Sequence, residues 1–322
     1  MKFLKKMGLI AVLAAACAGC QSSSNEKKVG IIVPIEHKAM NEIVSGFTQT
    51  LSKDYPNPIK FKVANAQGDI NLQRAIIQQM KDEHYDLIVP IGMSPTQMAV
   101  AMIRQQPIVS LASIYSQQDR EQHKPCHIAV VHDGIPMRLL LQFIHQVYPK
   151  LTQLVLIHSP SDKIYLEAMT APAIGKESGI NIKTLMVSTL NELYSLSNRI
   201  PDNAQAILVL KDNLIVSGIS TLAMAAAKHQ LPLISSDQGS VENGAGFALG
   251  VFERDVGVEG AKLAAAVLSG KPACNLPIVE TPHLSVFINK SMLAKEHQSL
   301  NPIEAAAKAN HYAVEFVGLK HE

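Results

Sequence analysis

"KVGIIVPIEHKAMNEIVSGFTQTLSK", residues 28–53, is an apolar run followed by a segment in which Met40, Ile43, Val44, Phe47 and Leu51 return at helical spacing. A short continuous apolar run reads as a strand buried on both faces, and a 3.6-residue repeat as an amphipathic helix. The unit recurs along the chain. "IKFKVAN" (59–65) precedes a helix predicted from Asp69 to His84, "DLIVPIG" (86–92) precedes one from Ser94 to Arg104, and "PIVSLA" (107–112) closes the series. The polar stretch "SIYSQQDREQHKPC" (113–126) reads as a passage between domains. Beyond it the rhythm restarts with "HIAVVHD" (127–133), a helix around "MRLLLQFIHQVY" (137–148), "QLVLIHS" (153–159), a helix from Ser161 to about Glu177, "INIKTLMVS" (180–188) and "AQAILVLKDN" (204–213). "LPLISSD" (231–237), "GAGFALGVF" (244–252), a helix from Glu253 to Ser269, "LSVFIN" (284–289) and a helix from about Ser291 complete it. Residues 301–322 are expected to form a helical tail. Strands alternating with helices imply an α/β fold with mostly parallel sheets covered on both faces.

The N-terminus, "MKFLKKMGLIAVLAAACAGCQSSSN", has a basic start, a short apolar core and a small-residue site ending in Cys20, the pattern of a lipoprotein signal peptide over residues 1–20. The apolar core falls short of the roughly 20 residues a membrane span needs. Ala18, Gly19 and Cys20 resemble a bacterial lipobox, which has Leu where this chain has Cys17. Cys20 is therefore the expected lipidated residue, with Cys17 as rival and an uncleaved anchor as the alternative. Residues 21–28 read as a flexible tether, and every version places the remainder outside the cytoplasm, in the cell envelope.

The chain has 322 residues, 47% of them hydrophobic and 17% charged, with net charge +2 and no Trp. After cleavage about 300 residues suit two domains. Basic residues are scattered, without the clustered patch that nucleic-acid binding requires. Cys126 and Cys274 are the cysteines of the mature body, and they form either a disulfide in an oxidising compartment or two separate buried thiols. The 12 His are dispersed and no spacing proposes a metal site. No G-x-S-x-G elbow, H-E-x-x-H pair or Walker loop occurs, so no enzyme constellation and no cofactor is expected.

Ligands of open α/β sheets bind outside the carboxyl ends of strands, where helix N-termini offer free N–H groups. Ser94 before Pro95 reads as a helix cap, with Thr96 beside it, and both suit a ligand carboxylate. Asp69, Ser161 and Asp212 read as caps too. Asp133, Asp212, Asn213, Asp237 and Ser240 all follow strand ends. Asp237 can clamp an ammonium group by a charge-assisted hydrogen bond or can simply organise its own turn. Tyr115, Tyr165 and Phe252 are candidates for packing an apolar ligand group.

"PIEHKAMNEI" (34–43), "NAQGD" (65–69), "IGMSPTQMA" (91–99), "KDN" (211–213), "SSDQGSVENGA" (235–245) and "LPIVETP" (276–282) occur in that order. Together they resemble the substrate-binding lipoproteins of ABC importers that include the tryptophan-binding TrpX-like proteins. The resemblance runs from about Val29 to Ala294. It implies a type I periplasmic-binding-protein fold: two doubly wound lobes, three crossovers and a ligand cleft between them. On that plan residues 29–125 with about 241–280 form the first lobe, and 126–240 with about 281–300 the second. Glu36 and His37 match the mouth of the family's cleft. "ASIYSQQD" (112–119), which contains Ser113, stands where the family has a "TDP"-like stretch and alters one cleft wall. The resemblance implies a monomeric receptor that delivers a small molecule, an amino acid with aromatic ones among the candidates, to an ABC permease and its ATPase. A ligand-sensing partner of a membrane receptor, or an α/β enzyme using Asp237, are the alternatives.

Overall fold

The computed structural model describes residues 26–36, 38–122, 126–160, 162–280 and 283–318. The signal and lipidation residues through Cys20, the tether as far as residue 25, His37 and Ser161 lie outside them. The chain begins β1 (Lys27–Val33), α1 (Lys38–Asp54), β2 (Ile59–Asn65), α2 (Ile70–Asp82), β3 (Leu87–Pro90), α3 (Met93–Met102), β4 (Ile108–Leu111), α4 (Gln117–Gln122) and β5 (Ile128–His132). It continues α5 (Met137–Val147), β6 (Gln153–His158), α6 (Asp162–Glu177), β7 (Asn181–Met186), α7 (Leu190–Tyr194), β8 (Ala206–Val209), α8 (Asn213–Ser217), α9 (Ile219–Lys228), β9 (Leu233–Ser235), α10 (Gln238–Glu242) and β10 (Phe247–Val251). It ends α11 (Glu253–Leu268), β11 (Val279–Glu280), β12 (Leu284–Ile288), α12 (Lys290–Lys295), α13 (Asn301–Ala309) and β13 (Ala313–Phe316).

Two sheets result. The first has strand order β11-β5-β4-β3-β1-β2 and the second β13-β12-β10-β9-β8-β6-β7. Helices cover both faces of each, so central strands such as β3, β4 and β10 are buried throughout. That is why they read as unbroken apolar runs rather than alternating ones. Among the described residues all strand pairings are parallel except β10 with β12, which makes the second sheet mixed rather than wholly parallel. The chain passes between the lobes three times: after β5, between β10 and α11, and between β11 and β12.

Two strands change sheet relative to the sequence expectation. The stretch 113–126 is not a passage between domains, because β5 pairs with β4 in the first sheet, Ile108 opposite Ile128 through Leu111 opposite Val131. Buried Arg120 of α4 ties that stretch down, its guanidinium donating to the carbonyls of Ala273, Cys274 and Leu276 at 3.2, 2.7 and 3.0 Å. Cys126 and Cys274 are joined as a disulfide, their Cα atoms 5.8 Å apart. The first crossover follows at Asp133. Conversely β10, expected in the first lobe, pairs with β9 and β12 in the second sheet. Only from α11 onward does the chain return.

The contact that holds α11 in the first lobe is a close helix crossing. A Cβ placed on Gly257 would lie 2.1 Å from the Ile43 carbonyl oxygen, and one on Gly46 2.2 Å from that of Arg254. Glycine at both positions lets the backbones of α1 and α11 touch. Val256, Ala264 and Val267 then share a core with Val29, Ile43 and Phe47.

The expected helical tail is half helix and half strand. Ile303, Ala306 and Ala307 of α13 are buried in the second lobe. His311, with a φ of 57°, turns the chain out of the helix, after which β13 adds to the sheet edge with Ala313 opposite Ser285 and Phe316 opposite Ile288.

Candidate functional site

The carboxyl ends of both sheets open onto a cavity of about 730 Å³. From the first lobe, the loop after β1 supplies Pro34, the exposed Ile35 and Glu36, and α1 supplies Lys38, Ala39 and Met40. Gly68 closes that wall, its positive φ of 76° allowing its N–H to bond the Pro34 carbonyl at 2.8 Å. From the second lobe come Lys211, Val216, Asp237, Gln238 and Glu242 among others, and Glu42 and Glu253 add two further carboxylates from the first. The first-lobe side thus sets the apolar Pro34, Ile35, Ala39 and Met40 beside the charged Glu36, Lys38 and Glu42, and carboxylates line the cavity from both lobes.

Asp237 is buried at the end of β9 and caps α10, accepting from the Ser240 N–H and the Ser240 hydroxyl, each at 2.7 Å. Burial pushes its carboxyl above the usual range, against the pull of Ser240 and the Lys211 charge. Turn-organiser and cavity-lining carboxylate are therefore the same group. Ser240 is fully buried beneath it.

Lys211 follows β8. Its Nζ donates to Asp133 Oδ2 at 2.7 Å and lies 2.7 Å from Glu253 Oε1 and 2.9 Å from Oε2. Burial alone would lower its pKa, but the two carboxylates outweigh burial and hold the ammonium well above its ordinary value. Glu253 is pushed up, chiefly by burial, with Lys211 opposing. Asp133 faces a recess of about 20 Å³ on the other side of Lys211 rather than the main cavity.

The remaining candidates lie elsewhere. Asp212 is a cap, as expected: its carboxylate accepts from Leu214 N–H at 3.0 Å and Ile215 N–H at 3.4 Å, and also from Ser159 N–H at 2.7 Å, which consumes it in backbone bonds. Asn213 opens α8, and its side chain is outside the described set. Asp69 caps α2 as expected. Ser94 is not a cap. Gly92, with φ 89°, turns the chain so that α3 starts at Met93, leaving Ser94 inside the first turn with its Oγ accepting from Gln73 Nε2 at 3.2 Å. Thr96 is fully buried, its hydroxyl 2.7 Å from the Gly92 carbonyl and 2.6 Å from Ser110 Oγ, which in turn is 2.7 Å from Ser113 Oγ. Thr96 and Ser113 thus belong to a hydroxyl chain inside the first lobe and do not line the cavity. Tyr115 is a core residue, Phe252 stacks edge-on against Phe287 at 5.2 Å, and Tyr165 is exposed on α6 beside His158.

Lys211, Glu253, Lys38 and Glu242 were not singled out by sequence. Lys211 and Lys38 sit in the quoted blocks "KDN" and "PIEHKAMNEI", but a lysine's partner is invisible without the fold. Among the described residues no group of three or more His, Cys, Asp or Glu is arranged to hold a metal, and no helix is long and apolar enough to cross a membrane.

Residues 28–308 match the model of a family described as ABC transporter substrate binding protein. An uncharacterised protein of Rickettsia prowazekii (strain Madrid E) is 34% identical over 309 residues, 94% of this chain and 96% of that one. A tyrosine-binding protein of Clostridioides difficile (strain R20291) is 25% identical over 282 residues, covering 84% and 81% of the two chains. Among solved structures, an ABC domain in complex with L-Trp from Streptococcus pneumonia superposes with a TM-score of 0.78 at 21% identity, over 91% of this chain and 100% of that one.

Proposed function

The chain belongs to the family of ABC transporter substrate binding proteins, and from that premise we propose that it is the extracytoplasmic, lipid-anchored receptor of an importer, which captures an amino acid between its lobes and delivers it to the permease. The family is one of binding proteins rather than enzymes, and the fold is of the type I periplasmic-binding-protein kind. The observation that carries the ligand class is the interlobe cavity of about 730 Å³, within the range of small-molecule sites, which sets the Asp237 carboxylate of one lobe opposite the apolar Pro34, Ile35, Ala39 and Met40 of the other. A carboxylate there bonds an ammonium group, and Pro34, Ile35 and Met40 receive an apolar side chain. The names of the tyrosine-binding relative and of the L-Trp complex favour an aromatic one. Anchoring at Cys20 rests on the signal pattern at the N-terminus.

Closure follows from affinity. A ligand that contacts both lobes binds the closed form more tightly than the open one and shifts the population toward it, and the closed pair of lobes docks on the permease. The test is a thermal-shift screen of the purified protein over amino acids, nucleosides and sugars, followed by calorimetry. Saturable stabilisation by L-tyrosine or L-tryptophan is expected, about 2.7 kcal/mol at a hundredfold excess over Kd. Stabilisation by a sugar or nucleoside with none by any amino acid would overturn the ligand class.

A further inference from the structure

Charged side chains cross between the lobes at two places along the cavity wall, and in opposite directions. Asp133 directly follows β5 at the first crossover, and Glu253 opens α11 just after the second, so both carboxylates are fixed to the first lobe. Lys211 reaches them from the second lobe at 2.7 Å each, and all three groups are largely shielded from water. Lys38, at the start of α1 in the first lobe, donates to Glu242, at the end of α10 in the second, at 2.5 Å. Its side chain is 62% exposed. Gln238 Nε2 also donates to Glu242 Oε1, at 2.7 Å.

We propose that these two contacts divide the work of closure: Lys211 with Asp133 and Glu253 is a pivot that stays made, and Lys38 with Glu242 is a clasp that opens to admit the ligand. The asymmetry is physical. An exposed ion pair contributes little and is screened by salt, so it separates readily. A buried one is poorly screened, and parting it would leave two carboxylates away from water without a counter-charge. The pivot also sits beside the first two crossovers, where rotation of one lobe against the other moves atoms least. The clasp joins two helices that such rotation carries apart. Lys211 is in this account a positioning residue, holding the frame in which Asp237 and the first-lobe wall face each other.

The experiment reads lobe separation without any ligand, so its outcome is independent of whether amino acids bind. Spin labels are attached through ketone side chains introduced at Arg74 on α2 and Met224 on α9, both exposed, in the full-length chain. Distance distributions are recorded at about 20 mM and about 1 M salt, where the screening length falls to roughly 3 Å. With native contacts, high salt should raise the population at long distances about two- to fivefold, the free-energy scale of an exposed pair. Lys38→Met should show that broad distribution at both salt concentrations. The triple variant Lys211→Met, Asp133→Asn, Glu253→Gln, which removes the cation together with both of its carboxylates, should alter the distribution equally at both, with circular dichroism confirming the fold. Lys211→Arg, which keeps the charge and lengthens the reach, should shift the mean distance at both and remains informative should the triple variant fail to fold. A native distribution insensitive to salt overturns the clasp. A native-like distribution for the folded triple variant, or for Lys211→Arg where the triple variant does not fold, overturns the pivot.

Discussion

Asp237 shows how one carboxylate can organise a turn and still face a ligand. Its bonds to Ser240 fix the start of α10, and a neutral Asn at a helix cap fulfils that role about as well as Asp. Charge and cap are therefore separable. Asp237→Asn should leave the unfolding midpoint nearly unchanged and weaken amino-acid binding about tenfold to a hundredfold by calorimetry, the loss expected for a charge-assisted bond of roughly 1.5–3 kcal/mol. Retained affinity with a lowered midpoint would reduce Asp237 to its turn. Glu296 poses the opposite problem, a buried acid with no visible role in the cleft. Its Oε1 accepts from Leu233 N–H at 3.3 Å, and Oε2 has no hydrogen-bond partner. Burial pushes its carboxyl from 4.5 up to about 8. The folded chain therefore holds a proton that the unfolded chain releases, so the stabilisation is complete below about pH 4.5 and is lost as pH rises toward 8. Glu296→Gln should match the native protein near pH 4.5 and exceed it by a few kcal/mol above pH 8, read from urea midpoints at the two ends. The sequence shows the acid at a strand end, which is why Asp237 was legible. It does not show pairings such as Lys211 with Asp133 and Glu253, which lie 78 and 42 residues away.

Among elements, the α1–α11 crossing is the most demanding. At Gly257 the neighbouring atoms are backbone, the Ile43 oxygen and the Phe47 nitrogen, and backbone cannot swing aside as a side chain can. Gly257→Ala should therefore cost about 2–4 kcal/mol in chemical unfolding despite Ala being the better helix former, with the helices forced apart or α11 displaced. Gly179→Ala is a poor control because its φ is 73°, whereas Gly134→Ala meets nothing within 4 Å and should be close to neutral. Helices and strands themselves were legible, because period and length distinguish a buried run such as β1 from an amphipathic segment such as α1. Their ends were less so. Gly92 rather than Ser94 holds the cap position before α3, since a serine before proline satisfies the capping rule equally well on paper and only the backbone turn at Gly92 decides. β13 was hidden for another reason: four residues at a sheet edge, mostly exposed, carry almost no periodic signal, and what fixes them is the edge of β12.

For the whole molecule, alternating strands and helices establish a doubly wound α/β chain but are silent on which sheet each strand joins. Hence β5 and β10 were exchanged between lobes: each is an apolar run next to a crossover, and either assignment buries it. The consequence for stability is direct. Each lobe has its own apolar clusters on both faces of its sheet, and Leu284, just past the third crossover, packs against a cluster of each. Lobes with separate cores joined by three strands of chain are expected to melt as two overlapping cooperative units rather than one. In scanning calorimetry the ligand-free protein should accordingly give a heat-capacity peak resolved by two components. A ligand stabilises what it binds in proportion to ln(1 + [L]/Kd), so a molecule held by one lobe raises one component alone. An amino acid gripped by Asp237 on the second lobe and by Pro34, Ile35 and Met40 on the first loses its site when either lobe unfolds, which couples the two units. Saturating L-tyrosine or L-tryptophan should raise the lower component and merge it with the upper into a single sharper peak. A ligand that moved one component and left the other in place would show binding to a single lobe, and the bridging geometry would have to be abandoned.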